Sequence, residues 1–189
     1  RELEDGGGDV GFCAVKTARP EALEKDEPER VAEATKRMNL NHIVITAVAR
    51  DDLKDGGAEH FQQTIEAVRS SNPKIIIEVL VPDFNDKDWA LEMVMEARPH
   101  IFNHNIETVE RLTPLVRSRA KYGRSLTVLK KAKDMVGGKV ATKSGLMLGL
   151  GEKEEEIFQA MDDLREHGVT VLTMGQYLRP TAMHLPVVE

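Results

Sequence analysis

The stretch ATKSGLMLGLGEKEEEIFQAMDDLREHGVTVLTMGQYL, residues 141–178, decides the fold class. Residues 141–150 are short, apolar and rich in glycine, and read as a buried strand. Residues 154–167 repeat apolar side chains at helical spacing, with Ile157, Phe158, Met161 and Leu164 expected to face inward, and Gly168 ends the run. Residues 170–178 read as another strand. Two strands joined through a helix in this way lie parallel.

The same alternation runs upstream. Residues 42–48 (HIVITAV) and 74–81 (KIIIEVLV) are β-branched runs of buried-strand type. Residues 100–106 form a shorter, more polar strand. Helical patterns cover 28–40, then 57–71 up to Asn72-Pro73, then 87–97 with Asn85 or Asp86 as cap. Two further helical pieces, 108–116 and 124–136, flank a basic loop, and Gly137-Gly138 closes the second. Residues 1–20 read as loop, and 1–11 are atypical of the rest. Strand and helix thus alternate as one domain over 1–189. No G-x-G-x-x-G follows a strand, and polar residues gather at the strands' carboxyl ends. The expected fold is therefore α/β, a partial (β/α) TIM-like barrel rather than a doubly wound sheet.

The net charge of −6 and the lack of a basic block argue against a nucleic-acid partner. No apolar run approaches the roughly 20 residues that span a bilayer, so no membrane partner is expected. The basic group Arg117, Arg119, Lys121 and Arg124 reads as a solvated connector. Cys13 is the only cysteine, which excludes an internal disulfide and fits a reducing compartment. A cytoplasmic location is expected; because the chain starts at Arg1, a mitochondrial or plastid location after loss of a leader is the alternative.

Four segments carry candidate chemistry. Residues 46–57 (TAVARDDLKDGG) are either a salt-bridged turn or a rim that positions a charged ligand. In Phe102-Asn103-His104-Asn105-Ile106-Glu107, alternation puts Asn103, Asn105 and Glu107 on one side and His104 on the other. Unpaired buried polar groups cost about 1–3 kcal/mol each, so these groups should bond something. Amides and a carboxylate facing a cavity suit ribose hydroxyls or an ammonium group. His100 and His104 lack zinc-site spacing and read as structural. In residues 143–152 (KSGLMLGLGE), glycines within a strand imply close approach of a ligand or another backbone. Glu152 suits a helix start, and Lys143 is either salt-bridged or a Schiff-base amine. The tail, 175–187, reads as a cover for the barrel mouth.

Taken in order, TAVARDDLKDGGAEHF, EVLVPDF, FNHNIETV, TKSGLMLGLGE and LTMGQYLRPTAMHLPV closely resemble the lipoyl synthase family of radical S-adenosylmethionine (SAM) enzymes. The resemblance implies a [4Fe–4S] cluster on C-x-x-x-C-x-x-C, with one iron open to the amino and carboxylate groups of SAM. Electron transfer then cleaves SAM to methionine and a 5′-deoxyadenosyl radical. That radical activates an octanoyl chain on a carrier lysine, and a second, auxiliary cluster donates two sulfurs to give lipoyl-lysine. The implied partners are an octanoylated lipoyl carrier domain or the glycine-cleavage H protein, and an electron donor such as ferredoxin or flavodoxin.

Carried over residue by residue, Cys13 matches the third cluster cysteine, while Gly6 and Val10 stand where the other two are expected. Asn103, Asn105 and Glu107 match the strand lining the SAM site. Gly145, Gly149 and Glu152 match a late G-x-x-x-G-x-x-E motif, and Lys143 is included among the candidate SAM contacts. Neither cluster of the family is completed by these residues. The auxiliary cysteines are expected before Arg1, its serine ligand beyond Glu189, and the first barrel strand before Gly6. The expectation is a lipoyl synthase fragment that is inactive as it stands. The alternative is a SAM-binding pseudoenzyme fragment without a cluster.

Overall fold

The computed structural model describes residues 20–188. Its centre is a five-stranded sheet of β1 (His42–Thr46), β2 (Ile76–Leu80), β3 (Ile101–Asn103), β4 (Ala141–Leu148) and β5 (Val171–Gln176). All the pairings are parallel, and the strands neighbour one another in chain order. Because that order never reverses, right-handed crossovers put every connecting helix on the same side. These are α2 (Ala58–Ser71), α3 (Asp88–Glu96), the single turn α4 (Thr113–Val116), α5 (Tyr122–Met135) and α6 (Glu154–Glu166), while α1 (Glu27–Arg37) precedes β1 and packs against α2. The partial barrel expected from the alternation is therefore present.

The register separates the two faces. Ile77, Val79, Phe102, Thr142, Ser144 and Leu146 point toward the helices and are buried. The alternate residues form the lumen face. One row there runs Thr46, Leu80, Asn103, Lys143 and Val171; the row before it runs Val44, Glu78, Ile101 and Ala141. On the two edge strands Val44 and Val171 are 51% and 41% exposed. Among the described residues, no helix is long and apolar enough to cross a membrane.

Four expectations need correction. The third strand ends at Asn103 rather than Ile106, because the chain leaves the ladder there. Ile106 N–H donates to the Ser144 hydroxyl, and Glu107 adopts a left-handed φ of 65°. Helix α6 buries Ala160 and Leu164, while Phe158 and Met161 are 55% and 38% exposed. The strand that follows α6 is the sheet's edge, so only a narrow stripe of the helix is covered. The first turn of α3 is preceded by Lys87, not capped by Asn85 or Asp86; Asp83 instead accepts from Asn85 N–H at 2.9 Å.

The fourth correction concerns the basic group: Arg119 and Lys121 are exposed as expected of a solvated connector, but Arg117 and Arg124 are not. Arg124 pairs with Asp83 at 3.2 Å and Asp86 at 3.1 Å. Arg117 donates to the Asn105 carbonyl at 3.0 Å and reaches the Ser125 hydroxyl at 3.4 Å. Charged side chains that look like loop decoration thus fasten α5 and the turn before it to the segments that follow β2 and β3. His104 lies in the same layer, fully buried, with Nδ1 2.8 Å from the Val81 carbonyl and Nε2 2.9 Å from the Ser125 hydroxyl. A carbonyl only accepts, so Nδ1 carries the proton and the Ser125 hydroxyl donates to Nε2.

Burial holds the His104 imidazole at about 4, below its ordinary 6.5, against the opposing hydrogen bond to Val81. Below pH 6.5 the unfolded chain takes up a proton that the native imidazole refuses. Stability should therefore fall as pH drops from 6.5 toward 4, by about 3 kcal/mol through this group. Urea denaturation over this range should show a shallower pH slope for His104→Gln than for the wild type.

Candidate functional site

The lumen face carries three layers of polar groups, stacked along the strand direction. The lowest centres on Glu78, which is only 2% exposed although it lies on the open face. It accepts from Lys143 Nζ at 2.8 Å and from Asn103 Nδ2 at 2.9 Å, and His42 Nε2 stands 3.4 Å away. Burial opposes its ionisation, but the hydrogen bonds from Lys143 and Asn103 outweigh it and hold the carboxyl below its ordinary value. Asn103 Oδ1 is buried without a partner.

The middle layer is Asn105, Gly145 and Glu107. A Cβ on Gly145 would lie 2.6 Å from Asn105 Oδ1 and 2.9 Å from its Cγ, so the missing side chain is the space in which Asn105 sits. Glu107 donates its N–H to the Gly145 carbonyl at 3.0 Å and accepts from Met147 N–H at 2.8 Å. These bonds pin it to β4 in its left-handed conformation. Such backbone costs of order 1–3 kcal/mol outside glycine, and it persists where surrounding contacts impose it. Burial raises the Glu107 carboxyl above its ordinary value; the hydrogen bond from Asn105 and the charge of Arg117 only partly offset this.

The rim is the loop after β4. Glu152 accepts from the Gly149 and Leu150 amides, the latter at 2.9 Å, so its carboxylate is committed to closing the loop. Gly149 has a φ of 103°, and a Cβ there would strike the Gln176 amide. Arg111 fastens the loop from outside, pairing with Glu156 and donating to the Gly151 carbonyl at 2.9 Å. The tail folds back across this end: Val188 N–H reaches the Gly149 carbonyl at 2.8 Å, and the Tyr177 hydroxyl reaches the Leu185 carbonyl at 2.9 Å. On the opposite side, Arg50 forks onto Asp52 at 2.9 and 2.8 Å, and Asp55 accepts from the Glu59 amide at 2.8 Å. Residues 46–57 are thus a turn knitted by its own charges.

The candidate residues therefore divide by height. Asn103 and Lys143 meet at the floor, Asn105, Glu107 and Gly145 meet in the middle, and Gly149 and Glu152 shape the rim. Sequence reasoning missed Glu78 and His42. The signal was one acidic residue inside the aliphatic run KIIIEVLV, where an unpaired carboxylate would be too costly to bury. Cys13, Gly6 and Val10 lie outside the described residues. Among the described residues, no group of three or more His, Cys, Asp or Glu side chains is placed to hold a metal ion. With Cys13 as the only thiol, the residues do not fit a four-iron cluster, which needs several thiolates. The middle layer does fit a polar organic ligand: it offers acceptors beside a glycine cradle at the carboxyl ends of the strands.

Residues 11–175 match the family described as the Radical SAM superfamily. The chain is 60% identical to the lipoyl synthase of Rubrobacter xylanophilus over 94% of its own length and 55% of that protein's. It is 57% identical to the lipoyl synthase of Geobacillus kaustophilus over 94% of itself and 59% of the relative. It thus spans a little more than half the length of the curated relatives it matches. Its fold is similar to the crystal structure of HydG, a maturase of the [FeFe]-hydrogenase, with a TM-score of 0.74 at 15% identity over 95% of this chain and 43% of that one. It is also similar to Streptococcus suis SuiB bound to S-adenosylmethionine, with a TM-score of 0.73 at 12% identity over 95% and 40% of the two chains. At such identities the likeness is one of fold.

The Gly145–Asn105 contact makes a direct prediction. Gly145→Ala should displace the Asn105 side chain, break its bond to Glu107 and cost about 1–3 kcal/mol in urea denaturation. The Asn105 side-chain amide resonances should move in the same variant. An unshifted amide pair with wild-type stability would show that the cradle is not tight.

Proposed function

We propose, from the premise that this chain belongs to the radical SAM superfamily, that it is the SAM-binding barrel of a lipoyl synthase. The observation that carries this reading is identity to lipoyl synthases sustained along nearly the whole chain. The whole protein would insert two sulfurs into a carrier-bound octanoyl-lysine to give lipoyl-lysine. Its substrate would be an octanoylated carrier domain or H protein, its reductant a ferredoxin or flavodoxin, and its location the cytoplasm.

Asn105 and Glu107 are the residues we assign to SAM, seated against Gly145. Their acceptors suit the ribose hydroxyls and the amino group, and a partly buried carboxylate balances a cationic sulfonium. Bound SAM supplies the hydrogen-abstracting chemistry of the reaction. The chain's own residues bind and orient it: β4 holds Glu107 by two backbone hydrogen bonds, and Glu152 with Arg111 fixes the loop above. No step is assigned to an iron–sulfur cluster on this chain, because Cys13 alone does not hold one.

Two measurements test the reading. Calorimetric titration of the 189-residue chain with SAM should give a Kd below about 1 mM, and Glu107→Gln should raise it about tenfold. No heat at millimolar SAM would reject the assignment. Anaerobic reconstitution with iron and sulfide should leave less than about one iron per chain, against about four for a filled site. Stoichiometric iron with 5′-deoxyadenosine turnover would show that the chain is competent as it stands.

A further inference from the structure

Helix α6 carries an exposed seam beside the one it buries. One flank of the helix is taken up by its neighbours: Glu156 pairs with Arg111, and Asp163 accepts from the Tyr122 hydroxyl at 2.9 Å. Ala160 and Leu164 face the sheet and are buried. Helical spacing gathers Glu154, Phe158, Met161 and Arg165 on the remaining flank, away from Arg111 and Tyr122. All four are exposed, and neither Glu154 nor Arg165 has an ion-pair partner among the described residues. This flank overhangs β5, the edge of the sheet. The strand (VLTMGQ) carries no charge, and its Val171 and Met174 are exposed. Leu172 and Met174 lie on the helix side of the sheet, in register with Ser144 and Leu146. An edge strand without a charge or a proline is open to pairing with another strand.

The seam reads acid, apolar, apolar, base, at spacings of four, three and four residues. It is therefore complementary to itself run backwards. Laid antiparallel on a copy, Glu154 meets Arg165 and Phe158 meets Met161, each twice. Laid parallel, it would set Glu154 against Glu154 and Arg165 against Arg165. We propose that this face is the contact with a second copy of this chain, related by a twofold axis perpendicular to the sheet. The same axis turns β5 antiparallel to its copy, so each edge takes up the other's unpaired amides and carbonyls. Paired strands lie roughly 4.8 Å apart. A helix that crosses from β4 to β5 then stands about 10 Å from its copy, the ordinary separation of packed helices. The strand contact and the helix contact are thus compatible. Charge order, rather than apolarity alone, selects the copy as occupant: an arbitrary apolar segment would leave Glu154 and Arg165 unpaired.

Sedimentation of the 189-residue chain at low ionic strength, from micromolar to millimolar concentration, tests this. The mass should pass from 21.1 kDa to twice that value, and no further. Added salt should weaken the dimer, because its ion pairs lie at the surface. Glu154→Arg sets two cations face to face at both ends of the seam and should weaken association about tenfold. Glu154→Arg combined with Arg165→Glu restores both pairs in reversed order and should restore the dimer. Both positions are exposed, so neither change disturbs the core. A monomer throughout, a dimer indifferent to Glu154→Arg, or a double variant that stays monomeric would overturn the proposal. A mass that grows beyond the dimer would also overturn it, because β1 and β5 edges would then be joining head to tail. So would a monomer whose β5 amides resist hydrogen exchange, which would assign the edge to another segment of the same chain.

Discussion

Everything in this structure follows from one topological constraint: five parallel strands are laid down in chain order without reversal. Parallel strands need crossovers, and crossovers of one hand along an unreversed order put all the helices on one face. The opposite face then has no helix to cover it and becomes a lumen. The same constraint brings the carboxyl ends of the strands to one rim. Residues as far apart in sequence as Glu78, Asn103 and Lys143 meet because the strand order makes β2, β3 and β4 neighbours.

A lumen face carries an electrostatic cost that the helix-facing side does not. Glu78 is desolvated there, and removing ions from water costs several kcal/mol even after relaxation. The cost is met locally by an ammonium, an amide and an imidazole from three other positions. The helix-facing side handles its polar residues differently. His104 stays neutral between a carbonyl and a hydroxyl, and Arg117 spends its donors on the backbone carbonyl of Asn105. The end of β3 is therefore fixed from both sides. Its last turn into Glu107 is held rigidly enough to keep a non-glycine residue at positive φ.

The fold was legible because strands and helices announce themselves by period, and here the periods alternate cleanly. The β4–α6–β5 unit carries that signal alone, and the upstream runs repeat it. What the pattern could not show was where a strand stops. Residues 100–106 look continuous, yet the ladder ends at Asn103 because Ser144, a strand away, takes the Ile106 amide. Nor could it show which loop charges are buried. Arg117 and Arg124 look alike on a basic connector, and their roles depend on Asn105, Asp83 and Asp86, distant in sequence from at least one of them. Most residues of the three lumen layers were already named as candidates from the quoted strings, but their heights were not, because height depends on strand register. Glu78 escaped because one acid in an aliphatic run looks like an exception until its partners are known.

The three heights also explain how residues with similar chemistry serve different ends. Glu78, Glu107 and Glu152 are all carboxylates near the lumen, and their partners differ in kind. Glu152 is satisfied by two backbone amides, so it behaves as part of the loop it closes. Glu78 is satisfied by side chains, so it orients other groups without presenting itself. Glu107 is the least satisfied of the three: burial raises its carboxyl, Asn105 and Arg117 only partly compensate, and its backbone is strained. A carboxylate whose folding contacts leave it short of partners is the one with most to gain from a ligand's hydroxyl or ammonium groups. That inequality, rather than the presence of an acid at any one position, is what favours the middle layer as the place proposed for SAM.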